Sequence, residues 1–217
     1  MSRPNSAAPT PDADRAGSRT LVVGITGASG TPYAVRLVEC AVRAGRHVDL
    51  IVSAAGRLVL ADEAGMAGST AEPDLASLWP QDILAGVTYR PAEALGAPPA
   101  SGSFRAEAAV VIPCSMNTLA ALANGLAQNL LQRAAQVALK EGRPLVVVPR
   151  EMPVTPIDLE NMARLARAGA VVMPAMPGFY HHPQSPADFV DFVVAKVLDR
   201  LGVAHDLDTR WPGCDRP

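Results

Sequence analysis

Charge is scarce in this chain: only 18% of its 217 residues are Asp, Glu, Lys or Arg, and the formal net charge is -2. No block of Lys and Arg occurs, which argues against nucleic-acid binding driven by neutralising many phosphates. Cysteine is equally sparse. Cys40, Cys114 and Cys214 stand too far apart for a CxxC motif, and their odd number argues against a disulfide framework, so a reducing cytoplasm is expected. Residues 108–132 carry no charge at all, yet Pro113, Ser115, Asn117, Asn124, Gly125, Gln128 and Asn129 interrupt the stretch. Burying those polar groups in lipid would cost too much, so no membrane span is expected. The opening MSRPNSAAPTPDADRAGS lacks the apolar centre of a signal peptide and reads as a disordered tail over residues 1–18. What remains, 19–217, suits one domain, and a hydrophobic content of 49% supports a compact globule.

Apolar, β-branched runs recur at Leu21–Ile25, Val48–Val52, Ala109–Ile112, Leu145–Val148 and Ala170–Met173. Helical periodicity separates most of them, over Tyr33–Ala44, Asn117–Leu139, Pro156–Ala168 and Pro186–Leu201. Alternation of this kind predicts an α/β fold, a Rossmann-like or flavodoxin-like three-layer sandwich around a parallel sheet. The stretch from Gly65 to Gly102 is less regular, with a short strand expected near Val87–Tyr89.

The strand run LVVVPREMP ends in Arg150 and Glu151. Doubly buried strands open their carboxyl ends onto ligand clefts, so charge at that point suggests function. Arg133 and Lys140 lie two helical turns apart upstream, and PGFYHHP with Tyr180 lies downstream, so a phosphate-bearing ligand is the first inference. After the first strand, GITGASG offers glycines for close approach and the hydroxyls of Thr26 and Ser29 at a helix start. The spacing is not GxGxxG, and the second strand ends at Ser53 instead of an acidic residue, which disfavours NAD. A tight turn with no ligand is the plain alternative for this motif, as helix capping is for Ser115 and Asn117 in PCSMN. For Arg133, Lys140, Arg150 and Lys196 that alternative is ordinary surface charge. Cys114 reads as a small buried side chain, and His181 and His182 lack metal-ligand spacing, so no catalytic metal is expected.

Together GITGASG, ASGSF, PCSMNTLAA, LQRAAQVALKEGRPLVVVPREMP, LENM and PGFYHHPQS resemble the UbiX/Pad1 family of flavin prenyltransferases, in order from Leu21 to about Trp211. The resemblance implies that reduced FMN receives a dimethylallyl group from dimethylallyl phosphate, giving prenylated FMN for UbiD-type decarboxylases without a metal. It further implies that Gly27, Ser29, Ser53, Ser115 and Arg150 contact the flavin, with Ser29 near its N5. Lys140, Tyr180 and Lys196 would hold the prenyl phosphate, Arg133 would serve the flavin and a subunit interface, and Glu63 and Glu151 would take part in the chemistry. A homo-oligomer, commonly a dodecamer, is implied as well.

Physical chemistry accords with such a set, because breaking an allylic carbon–oxygen bond leaves a cation and a phosphate, which positive side chains stabilise. Several positions depart from the family pattern. Lys196 stands where arginine is frequent, losing a bidentate fork; Ala94 and Leu95 replace acidic or aromatic residues; Asp158 and Gly142 replace a His and an Arg. These changes leave the choice between monophosphate and diphosphate donors open. Two other readings stand beside this one: an FMN-dependent cysteine decarboxylase of the phosphopantothenoylcysteine type, for which His47 is the only early histidine, and a flavin carrier that does not modify its cofactor.

Overall fold

A computed structural model describes residues 19–69, 73–207, 209–210 and 213; the tail expected over 1–18 lies outside the described residues. Its centre is a six-stranded sheet. β1 (Thr20–Ile25) pairs with β2 (His47–Val52) and with β6 (Ala108–Cys114). Outside β2 lies β5 (Val87–Pro91), and outside β6 lie β7 (Leu145–Pro149) and then β8 (Val171–Val172), every pair being parallel. Counted along the chain within this sheet, the spatial order is 3-2-1-4-5-6, the Rossmann member of the doubly wound folds. The order reverses between β1 and β6, so a crevice is expected beyond their carboxyl ends.

Alternate residues of each strand point to opposite faces, and here both faces are buried. Leu21, Val23 and Ile25 of β1 join Leu37 of α1 (Thr31–Arg43) and Val194 of α7 (Pro186–Leu201) in one core. Leu60 of α2 (Ala54–Ala64) and Ile83 of the short α3 (Gln81–Leu84) belong to the same layer. Val22, Val111 and Val147 turn the other way, against Leu119 of α4 (Met116–Ala123), Leu131 of α5 (Leu130–Lys140) and Leu165 of α6 (Pro156–Arg167). Each fully buried aliphatic side chain contributes about 1.5–3 kcal/mol, so these two apolar layers are what holds the sandwich together. Gly24 permits a close approach, since a Cβ there would lie 2.7 Å from Leu131 Cγ.

One expectation needs correction. The continuous helix expected over Asn117–Leu139 is broken into α4 and α5. Gly125 adopts a left-handed φ of 75°, and the Asn129 side chain accepts from Gln132 N to start a new helix. Polar residues that looked like interruptions of an apolar run are therefore a helix end and a helix beginning. α2, between β2 and the irregular segment, went unrecognised because its apolar residues do not line up on one face. In the segment 65–102 the structure places a small antiparallel pair, β3 (Ala67–Gly68) and β4 (Pro73–Asp74), ahead of α3 and β5.

Candidate functional site

The loop after β1 is built around Thr26, whose side chain is buried at the sheet's reversal point. Its Oγ1 donates to Pro113 O at 2.8 Å and accepts from Ser115 N at 2.7 Å, clamping the β1–α1 loop to the β6–α4 loop. Gly27 follows because nothing larger fits: a Cβ would meet Ala55 Cβ at 2.5 Å. Ser53, Ser115 and Asn129 each precede a helix, and their side chains accept from Gly56 N, Thr118 N and Gln132 N respectively. The amino ends of α2, α4 and α5 consequently border one crevice of about 400 Å³, lined by Thr26, Gly27, Ser53, Ser115, Thr118 and Asn129 among others. Backbone N–H groups and helix dipoles aimed at one hollow favour an anion, and hydroxyls and amides around it suit a ligand with a polar edge.

α1 is treated differently. Its amino end is closed by Glu63, whose Oε2 accepts from Gly30 N at 2.8 Å, Thr31 N at 2.9 Å and Thr31 Oγ1 at 3.0 Å. Burial pushes the Glu63 pKa up, but hydrogen bonds from Ser29, Gly30 and Thr31 outweigh it and hold the carboxyl below its ordinary value. Glu63 is therefore an anion at neutral pH that orients Ser29, and it is poorly suited to giving up a proton itself. Arg150 arches back from the end of β7, donating from Nε to Ser29 O at 3.0 Å. Glu151 beside it is exposed, its Oε1 accepting from Met152 N at 3.2 Å. Cys114 is wholly buried, and burial pushes its thiol far above the usual range, which leaves no thiolate nucleophile.

The remaining expected residues do not join this group within one chain. α5 runs away from the crevice, so Lys140 at its end lies toward the amino edge of the sheet, paired with Glu141. Lys140 shares a second hollow, of about 520 Å³, with Arg133, Gln136 and Arg164. Tyr180 and Lys196 sit on the opposite face, where Phe192 meets the Tyr180 ring edge at 5.5 Å and the Lys196 ammonium at 5.9 Å. Lys140, at the end of α5, thus lies away from Ser29 within one copy, while Tyr180 packs against the layer that contains α1. His47 opens β2 at the amino edge and bonds to Thr88 Oγ1 at 3.0 Å, far from the crevice as its sequence position suggests.

Sequence reasoning passed over the buried Asp49, 1% exposed, which pairs with Arg90 across β2 and β5, and over Arg57 behind the crevice. A charged residue inside an apolar strand run was the available signal for Asp49. Two departures from the family pattern have local reasons. Gly142 takes φ 65°, a region glycine enters without strain. Asp158 completes a capping box with Thr155 at the start of α6.

Residues 10–198 match the family described as Flavoprotein. The flavin prenyltransferase UbiX of Pseudomonas aeruginosa is 46% identical over 206 residues, covering 90% of this chain and 95% of its own. That of Methanothermobacter thermautotrophicus is 41% identical over 199 residues, covering 91% and 97%. Among solved structures, AnUbiX in complex with FMN and dimethylallyl pyrophosphate superposes with a TM-score of 0.78 at 34% identity, over 91% of this chain and all of that one. A dodecameric FMN-dependent UbiX-like decarboxylase from Escherichia coli O157:H7 gives 0.79 at 40% identity, over 89% of this chain and all of that one. A phosphopantothenoylcysteine-type decarboxylase, at 20% identity and a TM-score of 0.55, shares the fold alone. Fold, crevice and family match define a flavoprotein. Within that class the chain belongs to the UbiX family of flavin prenyltransferases.

Proposed function

We propose that this protein transfers a dimethylallyl group from dimethylallyl phosphate to reduced FMN, and that residues 19–217 act as one flavin prenyltransferase domain. The observation that carries the reading is the crevice at the β1–β6 reversal, bordered by three helix starts, with Arg150 tying the end of β7 to the β1–α1 loop that lines it, in a chain aligned over nine-tenths of its length with flavin prenyltransferases. The close packing of Gly27 on Ala55 keeps the β1–α1 loop low, and the capped starts of α2, α4 and α5 suit a phosphate end, so the residues present fit FMN.

In this reading Gly27, Ser29, Ser53, Ser115 and Arg150 hold the flavin. When bound, the flavin supplies an electron-rich ring that attacks the allylic carbon. Lys140 and Lys196 neutralise the departing phosphate, Tyr180 donates a hydrogen bond to it, and Arg133 reinforces the flavin side, because cations and donors placed where charge develops lower the barrier. Glu151, exposed at the crevice mouth, accepts or returns the proton displaced during ring closure. Glu63 acts through Ser29, fixing its hydroxyl. Exposed Met152, Met176 and Phe179 follow the carboxyl ends of β7 and β8 and would keep water from an allylic cation once covered.

Since Lys140 lies at the far end of α5, away from Ser29 in one chain, a neighbouring copy supplies it in this reading. A homo-oligomer, of which the dodecameric relative is an example, provides that arrangement. The product would serve a UbiD-type decarboxylase in the same cytoplasm, where the free thiols of Cys40 and Cys114 are at home. Anaerobic incubation with reduced FMN and dimethylallyl phosphate should yield a flavin heavier by one prenyl group in mass spectrometry. An unchanged flavin with both the monophosphate and the diphosphate would favour a carrier role instead.

A further inference from the structure

Between β8 and α7 the chain folds back over the first half of α7 as a cluster of rings. The turn Phe179–His182, closed by the His182 N–H donating to Phe179 O at 3.0 Å, carries three of them. Phe179 meets Phe189 edge to face at 5.3 Å, Tyr180 meets Phe192 in the same manner at 5.5 Å, and His181 stacks on Phe192 at 5.1 Å with 22° between the planes. Both His181 ring nitrogens are buried without a hydrogen-bond partner among the described residues, so the imidazole serves here as a flat plate against the Phe192 ring. Gly178 makes room for the arrangement: a Cβ there would lie 3.0 Å from Tyr180 Cε1 and 3.1 Å from Phe192 Cζ.

Phe192 is the hub of this cluster, and it is buried. One turn further along α7, Lys196 is exposed and forms no ion pair among the described residues. Its ammonium lies 5.9 Å from the centroid of the Phe192 ring. Residues four apart share a helix face, and a cation within about 6 Å of an aromatic face is attracted to its π electrons. A lysine needs such a guide more than an arginine would, because a point charge on a flexible stem lacks the planar fork that fixes its own orientation.

We propose that Phe192 is a positioning residue for the prenyl donor: its ring steadies the Lys196 ammonium and packs the Tyr180 ring, so that charge and hydroxyl are presented to one phosphate. Phe192 itself touches no substrate. The inference rests on the reading above that gives Tyr180 and Lys196 to dimethylallyl phosphate, and adds to it the buried ring through which the two act together.

Phenylalanines bearing one, two and three ring fluorines, inserted in place of Phe192 in the full chain, drain the π face while nearly preserving its shape. The KM for dimethylallyl phosphate should rise stepwise to about two- to fivefold, the worth of a cation–π contact at an exposed site, with kcat and the FMN dissociation constant unchanged. Phe192→Met fills a similar volume without a ring, and should raise KM by a clearly larger factor in the wild-type background than in Lys196→Met. A packing role alone would give the same factor in both backgrounds. The fluorinated series reads the contact even if Phe192→Met does not fold. A KM flat across that series, equal factors in the two backgrounds, or a KM unmoved by Lys196→Met overturns the proposal. A wild-type protein that forms no prenylated flavin refutes the transfer reading and this inference with it, a result distinct from the others.

Discussion

Glu151 and Glu63 are both acidic residues close to the crevice, and their surroundings separate their tasks. Glu151 is exposed, and among the described residues its carboxylate accepts from Met152 N, leaving its other oxygen open to a ligand. Glu151→Gln should therefore lower the rate of prenylation far more than it lowers FMN affinity; an unchanged rate in a single-turnover assay would sink the proton-transfer role. Glu63, tied to the start of α1, should matter for stability. Its carboxyl is held below its ordinary value in the folded state, so its contribution is present above the unfolded pKa and is lost as pH falls through the lower folded value. Glu63→Gln should cost about 1 kcal/mol at neutral pH, the usual worth of a helix cap. Denaturant titrations of both proteins should converge in acid, and a gap that persists there would contradict the assignment.

Among the elements, α5 decides how the site is assembled. It starts at the crevice with Asn129 and Gln132 and ends at the far edge with Lys140, so one rigid helix cannot present both ends to one ligand. Mixing Lys140→Ala with Glu151→Gln protein, each nearly inactive alone, should restore a fraction of the activity once subunits exchange, because some sites then receive an intact residue from each parent. A mixture as inactive as its parts would mean that Lys140 and Glu151 serve the same copy's site or none. The identity of α5 was legible only in part. Leu130, Leu131, Ala134, Ala135 and Ala138 show helical spacing, but the break from α4 depends on Asn124, Gly125 and Asn129, which read equally well as polar faults in one long helix. α2 was illegible for the opposite reason, since its Gly56 and Arg57 are explained by packing on Ile25 O and by Glu93, contacts far apart in sequence.

For the whole molecule, Met152, Met176 and Phe179, which follow the carboxyl ends of β7 and β8, are 88%, 75% and 73% accessible, and subunit contacts would cover them in a homo-oligomer. Phe179→Asp should reduce the mass measured by light scattering and the prenylation rate together. A variant that loses association yet keeps full activity would show that one copy suffices.

What the chain's own order of residues determined was the α/β alternation, the sheet's central strands and the motifs at their carboxyl ends, because hydrophobic periodicity and helix-start chemistry are local. GITGASG, PCSMN and PREMP were recognisable as site segments on that basis. Tertiary structure alone decided that Thr26 clamps two of those segments together, that Glu63 reaches back to close α1, and that Lys140 falls at the opposite edge of the sheet. Such relations depend on the sheet's reversal point and on the direction of each crossover helix, which bring residues tens of positions apart into contact and carry near neighbours to opposite edges.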